Sequence, residues 1–214
     1  MTELVVATRS AHKLREIREI LGDISGYRLV DLNEAGLPET SAEEGIEIFE
    51  TFAENALAKA RYFAKLTDSP VLADDSGLCV TALDGAPGVR SKRFSGRADL
   101  RGEALDEANN AHLLLLLRDV PESERSARYV CAAALVLGKG AEAVFLGGCD
   151  GQILMEPRGT GGFGYDPLFF IPSERATFGE LPAARKHQLS HRARAMEQVA
   201  AALRRHSLDS HLHG

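Results

Sequence analysis

The apolar positions divide the chain into short runs and longer periodic stretches. Leu4-Val5-Val6-Ala7 is an unbroken run that predicts a buried strand, and Ala11 to Leu21 then places Leu14, Ile17, Ile20 and Leu21 on one helical face. A second amphipathic helix is predicted over Phe49 to Lys65, with Phe52, Ala56, Ala60 and Phe63 inward. Pro70-Val71-Leu72-Ala73 enters another strand that runs straight into Asp74-Asp75-Ser76-Gly77, so the two carboxylates are expected at the strand's exit. After Leu78 to Leu83, Asp84-Gly85-Ala86-Pro87-Gly88 is turn chemistry, and Glu103 to Arg118 reads as helix.

Two paired strands are predicted next, Arg128 to Leu137 and Glu142 to Gly148, with Gly138-Lys139-Gly140 as the turn. The Gly-rich segment Gly159 to Gly164 leads through Tyr165-Asp166-Pro167 into the apolar Leu168-Phe169-Phe170-Ile171. A last amphipathic helix covers roughly Ser190 to Arg205. No internal repeat is visible, so residues 1–205 read as a single domain of two lobes and residues 206–214 as a loose tail. This mixture of elements predicts an α/β protein built on a mixed sheet, with active residues where strands meet loops.

Composition narrows the partners. The 214 residues are 44% hydrophobic and 26% charged, enough for a substantial core. Lys and Arg total 25 against 31 Asp and Glu, and the net charge of -6 has the wrong sign for gripping a nucleic acid polymer. The charges from Glu3 through Arg18 interrupt any signal-peptide pattern, and the run Leu113 to Leu117 is too short to span a bilayer. Cys79, Cys131 and Cys149 are odd in number and widely spaced, which indicates neither a disulfide framework nor a zinc site and fits a reducing cytoplasm.

Four constellations carry candidate chemistry. Thr8-Arg9-Ser10-Ala11-His12-Lys13 lies between a strand and a helix whose first turn is cationic, and unpaired N–H groups with Lys13 would cradle phosphates. Judged alone, Ser10 reads more simply as a helix cap. Asp74 and Asp75 offer hard oxygen ligands for a divalent cation or a proton acceptor, although an Asx turn explains the same pattern equally well. In Gly162-Phe163-Gly164-Tyr165-Asp166, glycines allow close backbone approach and the rings offer stacking faces for a base. Lys186 with Ser190-His191-Arg192 again gathers cations at a helix start, where a base carbonyl or phosphate would be read. The acidic residues Glu43, Glu44, Glu47, Glu50 and Glu54 are mostly solvated surface, with one of them able to complete a metal shell.

Taken together and in this order, these segments resemble the ITPase family of inosine/xanthosine triphosphate pyrophosphatases over nearly the whole chain. The matching pieces are Ala7-Thr8 with Lys13, Glu54-Asn55-Ala56 with Lys59-Ala60, Ala73 to Leu78, Gly85-Ala86-Pro87-Gly88 with Ser91, Gly162 to Pro167, and Ser190-His191-Arg192. The resemblance implies a long mixed sheet flanked by helices, two lobes with a central cleft, and a homodimer. It implies Mg²⁺-assisted hydrolysis of non-standard purine nucleoside triphosphates, ITP, dITP and XTP, to the monophosphate and pyrophosphate. Thr8 to Lys13 would hold the phosphates, and Asp75 would serve as metal ligand and general base with Glu44 or Glu47 completing the metal site. Ser76 would touch substrate, while Phe163 to Asp166, Lys186, His191 and Arg192 would enclose base and sugar. Donors around His191 and Arg192 that meet a 6-oxo group would be left unpaired by a 6-amino group, at about 1–3 kcal/mol each.

Three departures stand out. Ser10 replaces the family's usual Asn, extra residues separate Glu43-Glu44-Gly45 from Phe52, and Cys149 stands where relatives commonly carry Trp. Two other readings remain: a Maf-like pyrophosphatase for pyrimidine or modified nucleotides, against which the SHR and GFGYD segments speak, and a non-catalytic nucleotide sensor.

Overall fold

A computed structural model of the protein describes residues 1–137 and 140–212, with residues 208–212 described by their backbone alone. The chain runs β1 (Thr2–Val6), α1 (Ala11–Leu21), β2 (Tyr27–Asp31), α2 (Phe52–Ala64), β3 (Val71–Val80), α3 (Gly102–Leu117), β4 (Ser126–Val136), β5 (Glu142–Ile153), β6 (Phe169–Ile171), β7 (Ala176–Thr177), α4 (Ala183–Leu189) and α5 (His191–Leu212). The seven strands form one mixed sheet ordered β2-β1-β3-β4-β5-β6-β7. β1 is parallel to β2 and β3, whereas β6 is antiparallel to β5 and β7. This is the α/β class with a mixed sheet and flanking helices that the apolar pattern predicts.

The chain folds as two compact units, the first comprising Met1–Asp75, Cys131–Gly147 and Arg192–Gly214, the second Ser76–Val130 and Gly148–His191. In the first unit the strand pleat sorts side chains onto two faces. Leu4, Val6, Leu72, Cys131, Ala133 and Leu135 pack with Ile17 and Leu21 of α1 and with Ala195, Met196, Val199 and Leu203 of α5. Val5, Ala7, Val30, Val71, Ala73, Ala132 and Ala134 pack with Ala56, Ala60 and Phe63 of α2. Helices on both faces explain why these strands read as continuous apolar runs and not as alternating ones.

The second unit has its own core, in which Leu78, Val80, Tyr129, Ile153, Phe169 and Phe178 meet Leu113 and Leu117 of α3. Arg125, 1% exposed, donates to the carbonyls of Leu117 at 2.7 Å and Val120 at 3.0 Å, and so ties down the chain where α3 ends. Cys149 is buried in this same core, so the departure from Trp concerns packing.

Several boundaries differ from expectation. The Asp74-Asp75-Ser76-Gly77 segment lies inside β3, because the strand continues to Val80. α2 starts only at Phe52, where Thr51 caps it by accepting from the Glu54 N–H at 3.2 Å. The last helical stretch is broken at Ser190, whose extended backbone separates α4 from α5. The segment from His206 that reads as a loose tail is helical as far as Leu212, and the His206 ring meets the Tyr27 hydroxyl at 2.8 Å. Gly138 and Lys139 of the expected turn, and His213 and Gly214 of the expected tail, lie outside the described residues. Among the described residues no helix is long and apolar enough to cross a membrane.

Candidate active site

Adjacent residues on a strand face opposite ways, and this separates the two carboxylates of β3. Asp74 takes the direction of Leu72, toward α1 and α5; Asp75 takes that of Val71 and Ala73, toward α2. Asp74 is fully buried, with Oδ2 3.3 Å from Lys13 Nζ and 3.2 Å from Arg192 Nη2. Burial by itself would push its carboxyl up, but Lys13, Arg192 and Lys59 hold it well below the usual carboxylate range. Asp75 shifts the other way. Burial raises its carboxyl, the negative charges of Glu47 and Asp74 add to that, and Lys13 and Lys59 oppose it. One strand therefore presents two carboxyls shifted in opposite directions, Asp74 downward and Asp75 upward.

Around Asp75 the supporting groups come from α2 and the loop before it. Asn55, 1% exposed, donates to Asp75 Oδ2 at 3.1 Å and clasps the Phe49 backbone, accepting from its N–H at 2.9 Å and donating to its carbonyl at 3.1 Å. Lys59 donates to the Asp74 carbonyl at 2.6 Å and pairs with Glu47. Burial opposes ionisation of Glu47, yet Lys59 and Lys13 keep its carboxyl below the ordinary range. Glu44 is exposed, and Glu43 is taken by Arg9.

At the start of α1, Ser10 Oγ accepts from the Lys13 N–H at 3.4 Å and Thr8 Oγ1 accepts from the Ser10 N–H at 3.2 Å. The first turn contains no acidic residue, and Ala11 and His12 are exposed. Arg9, expected among the phosphate contacts, instead grips Glu43 through two nitrogens at 2.7 and 3.0 Å and donates to the Leu37 carbonyl at 3.0 Å. A bidentate carboxylate partner uses the planar donor edge a phosphate would need.

Among the described residues no three His, Cys, Asp or Glu side chains form a group able to hold a metal ion unaided. The donor set is the pair Asp75 and Glu47, whose mutual repulsion contributes to the raised Asp75 carboxyl. Such a set fits Mg²⁺, which takes one or two carboxylates and completes its shell with water and substrate phosphates.

In the second unit the Gly-rich segment is held from within. Asp166, 2% exposed, accepts from Lys186 Nζ at 2.6 Å and from the Phe163 N–H at 2.8 Å, both through Oδ2. A Cβ on Gly162 would fall 1.9 Å from that oxygen, and Gly162 has φ +74°, so only glycine fits. Tyr165 is buried and donates its hydroxyl to the Ser91 carbonyl at 2.8 Å. Asp166 and Tyr165, expected against base and sugar, are therefore framework. Their polar ends are used in holding the loop. Phe163 is the half-buried ring, with Lys186 Nζ 5.0 Å from its centroid. His191 stacks on Tyr129 with ring centroids 4.6 Å apart and planes 8° from parallel. Ser76 is partly buried.

Arg192, expected beside the nucleobase, is 1% exposed, and its guanidinium bridges Asp74 and Glu16. A buried guanidinium needs its donors satisfied, and here two carboxylates do so. Sequence reasoning assigned no role to Asn55, Lys59, Glu16, Asp106 or Asn110. A cation on the inward stripe of α2, one residue before Ala60, was the available signal for Lys59, and Glu16 beside Ile17 was a similar one. Nothing local marks Asp106 or Asn110.

The family model of the Ham1 family matches residues 4–202. The chain is 51% identical over 197 residues to a protein of Geobacter sulfurreducens named dITP/XTP pyrophosphatase, covering 92% of this chain and 94% of the relative. It is 51% identical over 201 residues to a protein of Frankia alni with the same name, covering 94% and 96%. Among solved structures it is similar to a HAM1 protein from Coxiella burnetii, with a TM-score of 0.81, 38% identity, and coverage of 95% of this chain and 98% of that one.

Proposed function

Since this chain belongs to the Ham1 family, we propose that it is a nucleoside triphosphate pyrophosphatase that hydrolyses dITP, ITP and XTP to the monophosphate and pyrophosphate. The observation that carries the reading is the division of labour within β3, where Asp74 is paired with Lys13 and Arg192 while Asp75 faces Asn55, its carboxyl raised by burial and by the charge of Glu47. Lys13 and Lys59 supply fixed positive charge for a triphosphate in surroundings of low dielectric, where such charge acts most strongly. The N-terminus of α1, with no acidic residue in its first turn, adds to it, with Thr8 and Ser10 shaping the loop.

Asp75 and Glu47 hold Mg²⁺ in this proposal, with Glu44 set aside because it is exposed. The bound ion supplies Lewis-acid polarisation of the phosphates. Asp75 takes the proton of the attacking water, a role that a carboxyl with a raised affinity for protons suits, and Asn55, donating to Oδ2, holds that carboxyl in place. In the second unit Phe163 offers its ring to the purine, Lys186 and His191 border it, and Ser76 contacts the substrate. A cytoplasmic location fits three free cysteines, and a homodimer is part of the same proposal, tested by sedimentation.

The test is pyrophosphate release from ITP, dITP, XTP, ATP, GTP, dTTP and dUTP with Mg²⁺, repeated in EDTA. Release confined to the first three and abolished by EDTA is expected. Binding of ITP without release would establish a sensor instead, and preference for dTTP a pyrimidine enzyme.

A further inference from the structure

The aromatic loop of the second unit is gripped by a helix that none of the sequence motifs includes. On α3, Asp106 Oδ2 accepts from the Gly164 N–H at 2.8 Å, and Asn110 Nδ2, one turn later, donates to the Gly164 carbonyl at 3.0 Å. Residues four apart lie on one helical face, so the two side chains close on both polar groups of one peptide residue. Gly164 has φ +64° with open space where a Cβ would stand, so its requirement is conformational: the backbone must turn there between Phe163 and Tyr165. The charge of Asp106 is also felt at Tyr165, whose hydroxyl is pushed up first by burial and then by that carboxylate.

A purely structural clasp would not be built this way. Among the described residues the buried Asn110 amide oxygen has no hydrogen-bond partner, a cost that an apolar side chain of similar size would avoid. What Asn110 contributes is one bond to Gly164, and what Asp106 contributes is a charge-assisted one. We infer that Asp106, assisted by Asn110, is a positioning residue that sets the pose of Phe163 and thereby the affinity and selectivity for the purine ring. This deepens the function proposed above and rests on it.

The test separates the base end of the ligand from its phosphate end by calorimetric titration of the wild type and variants with inosine monophosphate and, separately, with pyrophosphate. Asp106→Ala is expected to weaken inosine monophosphate about tenfold and leave pyrophosphate within about twofold, the scale of one charge-assisted hydrogen bond. Asp106→Asn, which retains an acceptor oxygen, should restore most of the affinity. In turnover, the Ala variant should raise KM for dITP more than it lowers kcat and should reduce the preference for dITP over dGTP. Asn110→Leu keeps the test decisive should Asp106→Ala fold poorly, because it removes the unpartnered oxygen; a smaller loss of inosine monophosphate affinity with undiminished urea resistance is expected. Unchanged inosine monophosphate affinity in both variants, or equal losses for the two ligands, overturns the inference. A wild-type protein that releases no pyrophosphate from dITP overturns the functional reading itself, and the inference with it.

Discussion

Each unit of the molecule contains a buried lysine–aspartate pair, and the two pairs serve opposite purposes. In the second unit Lys186 and Asp166 meet at 2.6 Å with side chains 5% and 3% exposed, and Asp166 also secures the Phe163 N–H. That pair holds a loop. In the first unit Lys13 and Asp74 stand farther apart, at 3.3 Å, and belong to a set with Arg192, Lys59, Glu47, Asp75 and Glu16 in which Asp74 is shared by Lys13 and Arg192, and Arg192 by Asp74 and Glu16. Under the function proposed above, the contrast separates a closed pair that shapes a loop from an open network whose carboxyls would receive ions.

The comparison can be broken most forcefully at Lys186. Lys186→Met strands the Asp166 charge in the core and is expected to cost about 3–5 kcal/mol in urea unfolding. If stability is retained, the closed-pair description fails. Asp75→Asn addresses the open network: turnover should fall by at least about 10²-fold while the fold persists, the scale for loss of a positioned base or metal ligand. Near-normal pyrophosphate release would remove Asp75 from the chemistry.

Smaller effects sharpen the contrast. Glu47→Gln should raise the Mg²⁺ concentration needed for half-maximal turnover by about tenfold, with Glu44→Gln close to wild type, as measured by Mg²⁺ titration. The opposite result would return Glu44 to the metal site. The smallest expected effect concerns pH. Because the folded-state carboxyl of Asp75 is raised, the native state binds that proton more tightly than the unfolded chain does. Its stabilising contribution is present below the ordinary aspartate value of about 3.9 and is lost as pH rises through the folded-state value. Hence Asp75→Asn, measured in EDTA at pH 7, should shift the urea midpoint slightly upward, and a downward shift would contradict the raised carboxyl.

Much was legible in the one-dimensional pattern because it depends on near neighbours. The 3.6-residue period placed α1 at Ala11–Leu21, and the apolar run of β1 followed from burial on both faces. The motif residues Lys13, Asp75 and Phe163 stood out through the company they keep in the chain. What stayed hidden depends on partners distant in sequence. Asp74 and Asp75 look equivalent as a dipeptide, and the strand pleat alone turned one toward Arg192, as its counter-ion, and the other toward Asn55. Arg9 and Arg192 look like ligand cations until Glu43, Glu16 and Asp74 are brought against them.

Residue types and their spacing thus determined the α/β class, the family, and the short segments from which the site is drawn, since periodicity and local motif chemistry require no third dimension. Tertiary structure decided which charges are spent on one another and which are held for a ligand. Electrostatic fate follows distance and burial, and both are created only when segments remote in the chain pack together.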